Sequence, residues 1–268
     1  MRYANDGSLT DYITTKEFKN LKWKDKIEIL YRIISGLKTI HQEQLVHHDF
    51  HSGNILYSDR IPQKVMIADL GLSGPADQSS TSSKNNIYGV LPYVAPEVLN
   101  GSPYTIASDI YSFGVLMSVI STGQQPFYNI AHDTNLAFKI CEGARPYFSM
   151  NTPKFYIELA YKCMDANPDD RPTTDEIYKT IKSWYDVLVV RFNGELDDDP
   201  IRNEFEKMDN IKFDPSTITA TVHPNAVYTS RLLKFTNLPQ PVNSNTVTII
   251  GNNDGNYQLL NNLLLFKI

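Results

Sequence analysis

Cysteine is almost absent from this chain: two residues in 268, Cys141 and Cys163, with no paired spacing. That excludes a disulfide framework and a zinc site of paired cysteines, and leaves buried, reduced thiols as the expectation. Nor is there a surplus of basic charge. Twenty-five Lys and Arg against 30 Asp and Glu give a net charge of −5, which argues against nucleic acid or an anionic membrane as the main partner. Long apolar runs are missing, and none approaches membrane-spanning length. The N-terminal stretch MRYANDGSLT is polar and has no signal-peptide core. The expectation is a soluble, cytoplasmic protein with no disulfide, no nucleic acid and no membrane among its partners.

The composition that remains is ordinary for a globular domain plus something smaller, with 41% apolar and 21% charged residues. Ser8 suits the cap of a short helix. Ile27, Leu30, Ile34, Leu37 and Ile40 recur at steps of three and four and predict one buried face of a long helix over 23–41. Three strand-sized pieces come next at 45–46, 55–57 and 65–67, separated by turn residues. Residues 74–86 are Ser-rich and polar, a loop by composition. An apolar helix buried on most sides is expected over 107–121, with further helices at 134–141, 154–164 and 174–190. Beyond Phe192 come an acidic linker, a helical turn or two over 201–208, and a last stretch read as a hairpin or as a disordered end.

The segment Val46–Leu56, VHHDFHSGNIL, is the richest in chemistry. Asp49 and Asn54 lie between two strand-like pieces, where a tight loop can aim both into one cleft. The carboxylate can accept a proton from an attacking hydroxyl while the amide oxygen holds a divalent cation. Asp69 then leaves a buried strand just before Gly71, a position suited to Mg²⁺ that bridges phosphates. A lone Asp-x-Gly is usually a mere turn; the ordered pair of motifs is far more specific.

His47-x-Asp49-x-x-x-x-Asn54 followed by Asp69-Leu70-Gly71 resembles the catalytic loop and metal-binding motif of protein kinases, with Leu in place of the usual Phe. Small-molecule phosphotransferases of the aminoglycoside and choline kinase kind share that much. They lack the downstream series of this chain: Ala95-Pro96-Glu97, then Ser108-Asp109-Ile110-Tyr111-Ser112-Phe113-Gly114, then Gly143-Ala144-Arg145-Pro146, then Asn167-Pro168-Asp169-Asp170-Arg171-Pro172. The likeness covers residues 1 to about 190 and fits the tyrosine-kinase-like group best, most of whose members phosphorylate serine and threonine. It implies a mostly α fold of the α+β family, a kinase C-terminal lobe with a few short strands at the catalytic cleft. The domain division it implies is a lobe over 1–190, starting at the hinge, and a tail over 191–268.

Residue by residue, the resemblance implies that Asp49 is the catalytic base, His51 assists the phosphate, and Asn54 and Asp69 hold metal. ATP would meet Tyr3 and Ala4 at the hinge, Leu56 as floor, Ala68 and Asp69 behind it, and Ser8 or Asp11 near the ribose. Asp109 would hold the catalytic loop by its backbone N–H groups, Glu97 and Arg171 would form a buried ion pair, and His47 and Leu70 would stack in the column linking the lobes. Before Asp49 only Gly7 and Gly36 occur, so a Gly-rich phosphate loop and its partner lysine strand are absent from this stretch. His48 replaces the arginine that pairs with an activation-loop phosphate, and a neutral imidazole cannot make that bidentate pair. His51 stands where serine/threonine kinases place a lysine, and Val90 where they place a threonine. The segment His223–Leu238 resembles tails that come after the kinase domain in some fungal members.

Two readings result. In one, the chain is the lobe of an Mg·ATP-dependent protein kinase acting on protein Ser/Thr or Tyr, weak or inactive on its own. In the other, it is a non-catalytic kinase-like binding or regulatory module.

Overall fold

The computed structural model describes residues 7–58, 65–75, 87–190, 198–211, 221–244, 246–250 and 257–261. Tyr3, Ala4, most of the Ser-rich stretch and the first part of the acidic linker lie outside them.

The chain opens with two single-turn helices, α1 (Leu9–Tyr12) and α2 (Lys16–Lys19), capped by Ser8 and Thr15. α3 (Trp23–Gln42) follows the apolar rhythm of its sequence and buries Trp23, Ile27, Leu30, Ile33, Ile34 and Leu37. Next come β1 (Leu45–Val46), β2 (Ile55–Tyr57), β3 (Val65–Ile67) and β4 (Gly74–Pro75). β2 and β3 form an antiparallel hairpin with Ile55 opposite Ile67, and β1 pairs with β4. β5 (Ile87–Gly89) precedes α4 (Pro96–Leu99).

α5 (Ile106–Thr122) is the centre of the core, buried on every side from Ser108 onward. It starts in a capping box between Thr105 and Ser108 and stops at Gly123, whose left-handed φ of 66° ends the helix. Such an all-round apolar helix needs neighbours on all faces. α6 (Thr134–Cys141), β6 (Phe148–Ser149), α7 (Lys154–Cys163) and α8 (Thr174–Leu188) complete the lobe, with α7 packed on α5 and α8 on α3. Both cysteines are free and buried.

α9 (Pro200–Asp209) starts on an Asp199 cap and inserts Phe205 between Trp23, Phe155 and Trp184. Burying one such ring contributes about 1.5–3 kcal/mol, which fastens the segment after the linker to the base of the lobe. β7 (Arg231–Leu233) returns to pair antiparallel with β5. β8 (Thr246–Ile250) runs parallel to β6, and β9 (Tyr257–Asn261) closes a hairpin on it. Among the described residues no helix is long and apolar enough to cross a membrane.

Candidate active site

The loop between β1 and β2 is held from below by one carboxylate. Asp109, in the first turn of α5 and 1% exposed, accepts the backbone N–H of His47 at 2.7 Å and of His48 at 3.2 Å. Its Oδ2 also lies 3.0 Å from His41 Nε2, and His41 Nδ1 meets Thr174 Oγ1 at 2.6 Å. These bonds offset the left-handed backbone of His48, φ 70°, which costs a non-glycine residue strain of order 1–3 kcal/mol. His47 is fully buried and contacts the Ala68 carbonyl through Nε2 at 3.0 Å. Leu70, expected in the same column, is 50% exposed.

Asp49 is the loop's buried acid, 5% exposed. Its Oδ2 gathers three groups: Asn54 Nδ2 at 3.3 Å, His51 Nε2 at 3.4 Å, and the hydroxyl of Ser230. Its Oδ1 is buried with no hydrogen-bond partner among the described residues. Burial pushes the Asp49 pKa up, but the bond and charge of His51, the Ser230 hydroxyl and His47 together outweigh it and hold the carboxyl below its usual range. The group is therefore ionised at neutral pH, as a proton acceptor must be. His51 Nδ1 accepts the Gly53 N–H at 3.0 Å, so in the neutral ring the proton belongs on Nε2, facing Asp49.

Asn54 and Asp69 emerge at the same end of the β2–β3 hairpin. Ala68 N donates to Asn54 O at 2.8 Å, which sets Asp69 one residue beyond the residue opposite Asn54. The Asn54 amide nitrogen donates to Asp49 O at 2.9 Å as well as to Asp49 Oδ2. Its orientation is thereby fixed, with the amide oxygen on the other side. Asp69 is exposed in left-handed backbone, φ 58°, and its Oδ1 takes the Gly71 N–H at 3.3 Å. Among the described residues no cluster of three or more His, Cys, Asp or Glu is set to hold a metal. One carboxylate and one amide oxygen are nonetheless the donor set that suits Mg²⁺, which completes its shell with water and phosphate oxygens.

The remaining sequence-expected positions line the hairpin and its surroundings. Leu56 pairs with Met66 and bridges to Ser8, tying α1 to the strand. Ser8 and Asp11 bond each other in a capping box, with Asp11 Oδ2 taking the Ser8 N–H at 2.9 Å and its hydroxyl at 2.7 Å. The backbone and hydroxyl bonds from Ser8 lower the Asp11 pKa. Val90 is buried in the core. Glu97 and Arg171 form a bidentate pair at 2.7 and 2.6 Å.

Ser230 and Gln125 are the residues that sequence reasoning did not bring to the site. Gln125 joins Thr10, Ser52 and Tyr93 in one hydroxyl network beside the loop. Ser230 lies 181 positions from Asp49; only a fold can bring them together, and a lone serine carries no motif.

Residues 1–181 match the family model described as protein tyrosine and serine/threonine kinase. A probable serine/threonine-protein kinase of Dictyostelium discoideum is 33% identical over 188 residues, covering 69% of this chain and 17% of the relative. A putative serine/threonine-protein kinase/receptor of Acanthamoeba polyphaga mimivirus is 32% identical over 178 residues, 65% of this chain and 10% of the relative. A further probable serine/threonine-protein kinase of Dictyostelium is 30% identical over 183 residues, 68% of this chain and 28% of that relative. The chain thus spans less than a third of the length of each of these relatives. With the family model matched over most of its length, the chain belongs to the protein tyrosine and serine/threonine kinase family.

Proposed function

We propose that residues 1–190 act as the catalytic lobe of a protein kinase that moves the γ-phosphate of ATP to serine or threonine of a protein, and that 191–268 form a tail to it. The observation that carries this reading is the set of groups at Asp49 Oδ2, an ionised carboxylate that already accepts a hydrogen bond from a serine hydroxyl. Asp49 orients the acceptor hydroxyl and takes its proton. His51, with Nε2 3.3 Å from the same hydroxyl oxygen, stands where the transferred phosphate would arrive and favours it when protonated. Asn54 holds the Asp49 carboxylate by its amide nitrogen.

Asn54 and Asp69 are the residues that would hold Mg²⁺, which when bound neutralises phosphate charge. Leu56 and Ala68 would lie under the adenine, with Tyr3 and Ala4 at its edge and Ser8 and Asp11 near the ribose. The capping box occupies the Asp11 side chain with Ser8, so any ribose contact must be made beside that box or at its expense. The cleft beside Asp49 accommodates extended backbone, which supports a protein substrate.

Phosphate transfer from labelled ATP to a serine peptide tests the reading, with the 268-residue chain and with the small lobe of a related kinase fused ahead of it. Transfer by either form that Asp69→Asn lowers about 100-fold or more would support it. Transfer untouched by that change, or none in either form, would overturn it.

A further inference from the structure

The tail crosses the face of the lobe in an ordered path with Ser230 at its middle. His223 N donates to Tyr128 O at 2.8 Å, and His132 N donates to Asn225 O at 2.9 Å. His132 Nδ1 lies 2.9 Å from Val227 O and 3.1 Å from Val227 N, and Tyr228 gives its hydroxyl to Pro126 O at 2.9 Å with its ring edge-on to His132. After Ser230, Arg231 donates to the His132 carbonyl at 2.5 Å. Arg231, Leu232 and Leu233 then pair with Gly89, Tyr88 and Ile87 of β5. Leu233 is 3% exposed in the core, and Asn100 Nδ2 fixes the outgoing strand at Pro239 O, 2.7 Å. Backbone on both sides of Ser230 is therefore fixed, and its hydroxyl is aimed at the one buried carboxylate assigned as the base.

We infer that Ser230 is the chain's own phosphate acceptor, held in the substrate groove by residues 223–238 and released once modified. The inference rests on the kinase reading of Asp49. The step balances without any further reagent than a nucleoside triphosphate. The Ser230 O–H proton passes to Asp49 Oδ2, Oγ forms a bond to the terminal phosphorus, and the bond from that phosphorus to its bridging oxygen breaks. The electron pair leaves with the nucleoside diphosphate. The product places a phosphate of about −1.5 to −2 charge against a buried carboxylate. Like charges there repel strongly, so the modified segment leaves and the groove opens to other acceptors. The same contacts describe which acceptors fit: an extended peptide with an aromatic residue two before the serine, arginine directly after it, and an apolar residue three after it.

Hydrogen exchange of the full 268-residue chain tests the seating without any turnover. The amides among 231–233 that face β5 should be protected, as a paired strand is, and Ser230→Glu should speed their exchange about tenfold or more. Amides of α3 and α5 should not change. Asp49→Asn combined with Ser230→Glu should restore protection in part, because one of the two facing charges is gone, while Ser230→Ala should keep it. Unprotected amides in the unaltered chain would overturn the seating, and Ser230→Glu that exchanges like a protected unaltered chain would overturn the release.

The acceptor role is read by mass spectrometry after MgATP, on the full chain with a related small lobe fused ahead, beside a free peptide of residues 223–238. Phosphate on Ser230, at a rate independent of protein concentration, is the expected result. Transfer to the free peptide with Ser230 unmodified would overturn this inference and leave the kinase reading standing. Transfer to neither would sink both.

Discussion

The carboxylate of Asp109 accepts the backbone N–H of His47 at 2.7 Å and of His48 at 3.2 Å, so the first turn of the central helix holds the loop that carries Asp49. Asp109→Asn turns one of those acceptors into an N–H₂ group facing a backbone N–H. A buried donor left unsatisfied costs about 1–3 kcal/mol. Thermal melting should fall accordingly, and phosphate transfer should fall with it because the loop loses its anchor. A variant with unchanged melting would show that the loop does not depend on this carboxylate for its place.

Glu97→Gln should cost more. Arg171 is bound on both arms by Glu97 and also donates to the carbonyls of Asp165 and Ala107, with its side chain fully buried. Removing the negative partner leaves a buried guanidinium under-compensated, worth about 3–5 kcal/mol. Denaturant unfolding of both proteins measures it directly. A loss near zero would mean that the backbone carbonyls alone satisfy Arg171.

Much of this lobe was legible from residue patterns. The long helix over 23–41, the three strand pieces and the helices near 106–122, 134–141, 154–163 and 174–188 all have strong local signals of period or cap, and each lies within a few residues of its expected bounds. The jobs expected of Asp109 and of the Glu97–Arg171 pair came through family likeness and match the bonds in the fold. In the tail, the helical turns expected over 201–208 and the hairpin reading of the last stretch reappear as α9 and the β8–β9 pair, whereas β7 had no local signal. β7 is three residues long and exists because β5 offers an edge, and Ser230 gains meaning only through Asp49, far away in sequence.

Gly114 is a packing position. A Cβ there would meet Met164 Cγ at 2.6 Å and the Ala160 carbonyl at 2.9 Å, backbone and side chain of the α7 region lying directly against α5. Gly114→Ala should destabilise by about 1–3 kcal/mol although alanine is the better helix former. A gain in melting temperature would show that the two helices separate freely.

Tail docking should weaken in acid. His132 is 3% exposed. Burial pushes its pKa below the ordinary value, bonds to the Val227 and Phe127 carbonyls pull it back, and the charges of Arg231 and His223 add to the push. Undocked, the ring titrates near about 6.5. Between that value and the lower docked one, the undocked state binds a proton that the docked state does not, so docking is lost as pH falls below about 6.5. Exchange at amides 227–233, corrected for its intrinsic pH dependence, should accelerate on going from neutral pH to about pH 5.5, and His132→Gln should remove that dependence. Equal protection at both pH values would contradict it.

Asp49 should matter to rate and hardly at all to folding. Its Oδ1 has no hydrogen-bond partner among the described residues, so an amide there strands little that the carboxylate had satisfied. The measurement is the rate of phosphate transfer to a serine peptide together with the melting temperature, for Asp49→Asn and the unaltered protein, each with a related small lobe fused ahead. The predicted result is a rate lower by about 100-fold or more with near-normal melting. Retained transfer, or melting as early as that of Glu97→Gln, would contradict the assignment of Asp49 as the base.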